Sequence, residues 1–410
     1  MRLLASIALA SSALLSCKAL AATINPPADL YSSVIASKLQ GTTNPANYSG
    51  VYPQLTNHAN PAKWQYLSAN QWTSSFFPAT MYEMARRQSL CPNTASTGAN
   101  VNWLERGREW SAAILPLDNG NSQGHDQGFL SFPFVAELAV NPTNQTAITA
   151  INKFAGLLAA RFNSVVGCTR SWDSTDPTDF QVIIDNMVNI DLFYASASLT
   201  GNTTLTSMAV SHADTTIKNH FRPSNYSTWH VVHYNETTGA VIKKVTSQGY
   251  ADWSTWSRGQ SWAMLGYGNM YRRTGFQRYL DTARLASQLY LNNVPTKTYV
   301  PPWDFNAPGS PATADTSAGA IAATALIQLA AIESSIQNTT GSNYYVNAAV
   351  NLLSGISNLG WKPTWDSILS NGTANYPAAS YQTGLVYGDY YYVKAGNDLI
   401  ANGFVGCPTS

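Results

Sequence analysis

Two aspartates stand in surroundings that change what a carboxyl group can do. Asp126 lies in Gly124-His125-Asp126-Gln127-Gly128-Phe129, and Asp185 follows Val182-Ile183-Ile184 and precedes Asn186-Met187. An Asp behind three aliphatic residues loses solvent unless it faces a polar cavity, and lost solvent raises its pKa. A carboxylic acid raised in this way delivers a proton near neutral pH, as a general acid must. The same pattern also fits a buried Asp that caps the next helix with Asn186 as its partner. Paired carboxylates are the usual tools of glycoside hydrolysis, so the presence of a second acid favours the catalytic reading.

A denser cluster follows at Gln248-Gly249-Tyr250, Trp253, Trp256 and Arg258-Gly259-Gln260-Ser261-Trp262. Arg258 and Trp262 are four residues apart and share one face of a helix. An Arg beside indoles at a helix start is suited to hold a carboxylate in a charge-assisted fork while Trp stacks on a ring. The competing reading is an Arg salt bridge beneath a Trp-rich core. His230 follows Trp229, and His125 adjoins Asp126. No Ser, His and Asp stand at nucleophile-triad spacing, and no G-x-S-x-G elbow occurs, so serine-type hydrolysis is disfavoured.

The elements that must position these residues are helical. Apolar residues recur at i, i+3, i+4 and i+7 in Leu30–Leu39, Phe76–Arg87, Trp103–Leu115, Phe129–Val140, Ala147–Phe162 and Ile184–Leu199. The pattern returns in Thr204–His220, Trp256–Arg273, Gln277–Leu291, Asp315–Ile332, Ser342–Leu353 and Tyr381–Lys394. Thr228–Val245 alternates about Thr237-Thr238-Gly239 and predicts a β-hairpin. About twelve helices make six hairpins of about 60 residues, long for a simple bundle but suited to two concentric rings with long loops at one rim. Asp126 and Asp185 are 59 residues apart, so they fall at equivalent places on neighbouring hairpins. No nucleotide-binding βαβ unit with G-x-G-x-x-G appears.

Composition narrows the setting. Net charge is +1 with 11% charged residues, which offers nothing to nucleic acid or an anionic membrane. The 12 Trp and 22 Tyr match the apolar faces and hydroxyl rims of sugars, or equally a large helical core. Arg2, the apolar run Leu3–Leu15 and Ala19-Leu20-Ala21 read as a secretory signal over residues 1–21, leaving 22–410 as one catalytic domain. Cys91, Cys168 and Cys407 then remain, enough for one disulfide and one free thiol in a pairing the sequence leaves open. No zinc-type Cys/His spacing occurs, so no metal and no cofactor are expected. Sequons at Asn47, Asn144, Asn202, Asn225, Asn235, Asn338 and Asn371 suit a secreted glycoprotein.

Six motifs in register carry a resemblance. They are His125-Asp126-Gln127-Gly128-Phe129, Ile184-Asp185-Asn186-Met187, Thr246-Ser247-Gln248-Gly249-Tyr250, Trp256-Ser257-Arg258-Gly259-Gln260-Ser261-Trp262, Pro301-Pro302-Trp303-Asp304-Phe305 and Tyr387-Gly388-Asp389-Tyr390-Tyr391. From about Trp72 to Lys394 the chain resembles the unsaturated glucuronyl hydrolases, glycoside hydrolase family 88. Related unsaturated rhamnogalacturonyl hydrolases share the barrel but usually carry Asn-Gly where this chain has Gln260-Ser261, and remain the alternative beside an ordinary inverting glycosidase. A carbohydrate-binding protein without catalysis ranks last, because both aspartates stand in their motifs.

The resemblance implies an all-α (α/α)6 barrel with a small β-hairpin. It also implies hydration of the C4=C5 double bond in the terminal unsaturated uronic acid of a polysaccharide-lyase oligosaccharide. It assigns Asp185 as principal acid/base and Asp126 to the ring hydroxyls and the charge state of Asp185. His125, His230, Gln248, Trp256, Arg258 and Trp262 fall on positions around the uronate, with Trp72 and Trp172 stacking on sugar. Members that prefer sulfated fragments carry a Ser and Lys cluster where this chain has Asn371-Gly372-Thr373-Ala374-Asn375-Tyr376-Pro377, which argues against a sulfate-selective pocket.

Overall fold

The computed structural model describes residues 24–43, 50–92, 94 and 97–408; the signal read at residues 1–21 lies outside these. Its helices are α1 (Ser33–Thr42), α2 (Phe76–Leu90), α3 (Trp103–Ser111), α4 (Gln127–Val140), α5 (Gln145–Ala159), α6 (Asn186–Asn189), α7 (Asp191–Thr200), α8 (Thr203–His220), α9 (Ser257–Thr274), α10 (Gln277–Asn293), α11 (Thr316–Ser335), α12 (Thr339–Gly360) and α13 (Val386–Ala401). Helix α2 packs on α4, α4 on α6 and α7, α6 and α7 on α9, α9 on α11, α11 on α13, and α13 back on α2. That sequence of contacts closes a ring. Helices α3, α5, α8, α10 and α12 each follow a ring helix and pack against it from outside. The start of the chain fills the sixth outer place, where the turn Ala28–Tyr31 packs on α12 and α13 and the Tyr31 hydroxyl donates to Gly396 O at 3.1 Å. The fold is an (α/α)6 barrel, as expected.

The two rings differ in sequence because they differ in surroundings. Outer helix α10 buries Tyr279, Leu280, Ala283, Ala286, Ser287 and Tyr290, a single stripe at helical spacing. Inner helix α11 is buried on nearly every side from Thr316 to Glu333 and is correspondingly Ala-rich and apolar all round. It is long and apolar enough to cross a bilayer, yet it lies almost wholly inside the protein. Close approach of inner helices also fixes residues. A Cβ on Gly128 would meet the Cα of Asn189 at 2.5 Å, and one on Gly266 would meet Met187 backbone at 2.7 Å, so α4 and α9 both press directly on α6.

Short strands sit in the connections. They are β1 (Val51–Thr56) with β2 (Trp64–Ser68), β3 (Phe162–Asn163) with β4 (Cys168–Thr169), β5 (Asp179–Ile183) with β6 (Val231–Asn235) and β7 (Val241–Val245), and β8 (Gly372–Asn375) with β9 (Ser380–Thr383). The expected hairpin is β6–β7, turning at Gly239 with φ +70°. Its third strand, β5, was not anticipated: Val182 and Ile183 belong to it, so the helix expected from Ile184 starts at Asn186. The helix expected from Tyr381 likewise starts at Val386, because Ser380–Thr383 pairs with β8 instead.

Three of the sequons have a local explanation. Asn144, Asn202 and Asn338 are N-caps of α5, α8 and α12, each accepting a backbone N–H from the first turn. The amide nitrogens of Asn144 and Asn338 also donate to Glu137 and Glu333, at 2.9 and 2.8 Å. Capping therefore accounts for the Asn at those three positions without a glycan. Asn47 lies outside the described residues.

Cys91 and Cys407 form the disulfide, and Cys168 is a buried free thiol. The bond ties the end of α2 to the segment after α13 across a separation of 316 residues. A loop that long removes about 6 kcal/mol of unfolded-state entropy in the chain-entropy account. A Cys91→Ser, Cys407→Ser double variant should therefore melt about 5 °C lower by scanning calorimetry, with unchanged far-ultraviolet circular dichroism.

Candidate active site

The starts of the inner helices converge on one rim. Trp72, before α2, lies 5.0 Å from the Tyr387 ring at the start of α13 and 5.6 Å from Phe129 at the start of α4. Arg258 at the start of α9 pairs with Asp315, the N-cap of α11, at 2.7 Å. Asp126 and Asp185 occupy the N-cap positions of α4 and α6, and neither makes a side-chain cap hydrogen bond. The capping explanation for Asp185 therefore fails. Its proposed partner Asn186 is turned away, donating to Thr169 Oγ1 at 2.6 Å.

The β5–β6–β7 sheet aims three groups at this rim. β5 ends two residues before Asp185, His230 immediately precedes β6, and β7 leads to Gln248. Ile184 N donates to His230 O at 3.0 Å, and Gln248 N donates to His230 Nδ1 at 3.3 Å. Antiparallel register thus places the acid, the imidazole and the amide side by side. Burial, with help from the positive charge of Arg258, holds His230 well below its ordinary pKa, so the ring is neutral. Because Nδ1 accepts, its proton sits on Nε2, which is buried and has no partner among the described residues.

Asp185 is half-buried, and its Oδ1 is wholly enclosed with no hydrogen-bond partner among the described residues. Its pKa is pushed up to about 7. Burial is the main cause; His125 and Arg258 pull it down, and Asp126 adds to the rise. Asp126 and Arg258 thus both act on the Asp185 carboxyl, which places the three charged groups close together. Asn189 locks the relative position of the two aspartates: its Oδ1 accepts from Phe129 N at 2.9 Å, and its Nδ2 lies 3.5 Å from Asp126 Oδ1. His125 is buried with Nε2 3.2 Å from the same Asp126 oxygen.

Arg258 requires a correction. The expected fork toward a sugar carboxylate is not free. Nη1 donates to Asp315 Oδ2 and Thr373 O, and Nη2 donates to Gln248 Oε1 at 3.0 Å and Ala374 O at 2.6 Å. Nε alone lacks a partner among the described residues. Burial opposes the guanidinium charge, but Tyr387, Asp315 and Asp185 outweigh it and hold the pKa above its ordinary value. The guanidinium lies 4.4 Å over the Trp256 ring, whose other neighbour is His230 at 4.5 Å between ring centroids. Arg258 is thus the centre of a clamp joining α9, α11, the Gln248 loop and the β8 strand.

The remaining aromatic residues divide by depth. Trp262 is fully buried against Phe129 and Tyr391, with its indole N–H lacking a partner among the described residues. Trp72 is partly open, and Trp172 is 37% exposed, edge-on to His230 at 5.7 Å. Asp315, Asn189 and Tyr387 complete the rim. None was singled out as a site residue in the sequence, although Tyr387 belongs to a quoted motif. Asp315 follows Ala-Thr-Ala and precedes Thr-Ser, an ordinary helix-cap signal, and only the fold brings it to Arg258.

An (α/α)6 barrel with an acid of raised pKa, a second aspartate and an aromatic wall at one rim defines a carbohydrate-processing barrel enzyme. No protein-family model matches the chain. Over 337 residues it is 35% identical to an unsaturated glucuronyl hydrolase of Formosa agariphila, covering 80% of this chain and 79% of that protein. It is 28% identical over 362 residues to an unsaturated chondroitin disaccharide hydrolase of Streptococcus pneumoniae, covering 86% of this chain and 84% of that protein. Among solved structures, an unsaturated glucuronyl hydrolase specific for heparin superposes with a TM-score of 0.81 at 27% identity, over 93% of this chain and 98% of that one. The enzyme from Bacillus sp. GL1 shares the fold with a TM-score of 0.79 at 22% identity, over 90% of this chain and 94% of that one. The chain belongs to the unsaturated glucuronyl hydrolase family.

The raised pKa of Asp185 has a consequence for stability. A carboxyl whose folded pKa exceeds its unfolded value favours folding least once pH has passed the folded pKa, so its cost grows from about pH 4 and levels above 7. An Asp185→Asn variant should accordingly match wild type near pH 4 and be more stable at pH 8, by about 2–4 kcal/mol or a few degrees of melting temperature. Equal melting differences at both values of pH would show that Asp185 titrates normally.

Proposed function

We propose that the chain removes the terminal 4,5-unsaturated uronic acid from lyase-generated oligosaccharides by hydrating its C4=C5 bond. The observation that carries this reading is the Asp185 carboxyl at the barrel rim, its pKa pushed up to about 7 beside a second aspartate, Asp126. Protonation of carbon is slow, so it needs an acid held at close range whose conjugate base then survives to take a proton back. Asp185 gives its proton to C4; the π electrons form the C–H bond and leave positive charge shared by C5 and the ring oxygen. A carboxylate at Asp126 stabilises that charge and accepts hydrogen bonds from ring hydroxyls.

Water then attacks C5 and yields its proton to the Asp185 carboxylate, which restores the acid. The resulting hemiketal collapses by breaking C5–O5, giving a C5 ketone and a hemiacetal at C1. Opening of that hemiacetal breaks the C1–oxygen bond and frees the rest of the saccharide. One water is consumed and no redox partner is required. The sugar carboxylate is met by neutral donors: His230 Nε2–H and the Gln248 amide nitrogen, whose oxygen is already taken by Arg258. Trp72 and Trp172 supply stacking faces, while Trp256 and Trp262 shape the wall behind them.

We also propose an unsulfated substrate and a secreted enzyme. Residues 371–377 contain no cationic side chain, and Tyr376 is stacked on Trp303 at 4.3 Å, so that segment offers a sulfate no charge. Secretion is supported by the N-terminal pattern of residues 1–21 and by the Cys91–Cys407 disulfide, which suits an oxidising compartment.

The decisive assay follows the ultraviolet absorbance of the conjugated double bond during incubation with lyase-digested unsulfated polysaccharides. Hydration removes that absorbance, whereas an ordinary glycosidase would release product and leave it intact. Asp185→Asn should lower kcat by at least about 10³-fold while substrate binding persists in calorimetry. Above pH 7 the wild-type kcat/KM should fall about tenfold per unit as Asp185 loses its proton. Full activity in Asp185→Asn would overturn the assignment.

A further inference from the structure

The ten residues from Thr246 to Thr255, between β7 and α9, form a loop whose backbone is held at almost every step. Thr246 Oγ1 donates to Asp252 O and Ser254 O, both at 3.1 Å. Ser254 Oγ lies 2.6 Å from Asp304 Oδ2, which also accepts from Tyr250 N at 3.0 Å. Arg222 donates to Trp253 O and Ser254 O at 2.8 and 2.9 Å, while its guanidinium lies 3.7 Å over the Trp229 ring. Thr255 N donates to Asn306 Oδ1 at 2.9 Å. This loop is therefore a rigid piece of the barrel rim.

Its side chains point two ways. At one end Gln248 joins the site through Arg258 and His230. At the tip Tyr250 and Trp253 stand out into solvent, 47% and 59% exposed, with ring centroids 6.2 Å apart at right angles. Trp253 is the most exposed large hydrophobic residue among the described ones. An edge-to-face pair leaves one indole face open, and the locked backbone means that little ordering entropy is lost when something stacks on it. Four residues lie between Gln248 and Trp253, so five backbone steps anchor the indole within about 17 Å of Gln248. No Lys, Arg, Asp or Glu lies between Gln248 and Trp256 except Asp252, so the tip suits an uncharged ring rather than an anion.

We propose that Tyr250 and Trp253 form an outer platform for sugar rings beyond the one released by the bond that breaks, favouring oligosaccharides longer than a disaccharide. The platform extends the proposed hydrolase reading and rests on it. Its ligand class is the neutral or weakly charged saccharide chain continuous with the substrate in the site. The hydrophobic surface is retained in water because stacking on a C–H face uses it.

The test compares an unsaturated disaccharide with an unsaturated tetrasaccharide of the same unsulfated polysaccharide, by absorbance decay. Wild type should show the lower KM for the tetrasaccharide. Trp253→Ala should raise the tetrasaccharide KM about 3- to 10-fold and leave disaccharide kcat and KM within about twofold. Trp253→Phe should recover most of the loss, because it restores a stacking face. A folding defect would lower both substrates together and overturn the platform, as would a wild-type enzyme blind to chain length. If wild type turns over neither substrate, the hydrolase reading falls and the platform with it. Turnover of both with no length-dependent effect of Trp253→Ala defeats the platform alone.

Discussion

The constraint behind this site is that one carboxyl must stay protonated while facing positive charge. A pKa of about 7 at Asp185 instead of 3.8 corresponds to about 4 kcal/mol against ionisation. Working the other way are His125, Arg258 and a backbone hydrogen bond at Asp185 itself, with α6 starting at the next residue. The helix contributes little, since a macrodipole needs aligned peptides and α6 has only four residues. Burial wins because the walls are dry: Ile184 and Met187 are buried on either side, and Oδ1 meets no donor. A hydrogen bond from a backbone N–H to that oxygen would stabilise the carboxylate and remove much of the proton affinity that burial creates.

Keeping a group dry and reachable demands precise walls, and the fold supplies them by close helix contact. Gly128 and Gly266 let α4 and α9 touch α6 without intervening side chains. Asn189 then converts that proximity into register, holding the start of α4 with one side of its amide and facing Asp126 with the other. The small sheet does the same for the remaining groups. A slip of one residue between β5 and β6 would carry His230 to the opposite face from Asp185, so the ladder protects the chemistry as well as the strands.

Much of this architecture was legible in the sequence because helix periodicity is local. The twelve expected helices all exist, displaced by a few residues where caps or strands intervene. Asp185 was legible for the same reason that raises its pKa: three aliphatic residues in a row announce a dry position. Strand β5 was not, since Asp179–Ile183 becomes a strand only by pairing with β6 more than forty residues later. Asp315 and Asn189 escaped notice because each looks like an ordinary polar residue at a helix end, and their partners Arg258 and Asp126 lie 57 and 63 residues away. The expected carboxylate fork of Arg258 is occupied on the same ground: three of its four acceptors come from two distant segments, and the fourth is nearby Gln248.

That occupied fork resolves an apparent difficulty. A uronic acid calls for a cation, yet a free guanidinium beside Asp185 would favour its ionised form and remove the acid. Two unit charges a few ångströms apart in a partly buried site interact by several kcal/mol, comparable to the whole shift that keeps Asp185 protonated. Arg258 still pulls the Asp185 pKa down, but its guanidinium is paired with Asp315 and serves as a rigid anchor for Gln248 and β8. In the proposed reaction, recognition of the anion passes to neutral donors, the tautomerically fixed imidazole of His230 and the tethered amide of Gln248. The salt bridge beneath the pocket and the acid within it are therefore parts of one electrostatic arrangement.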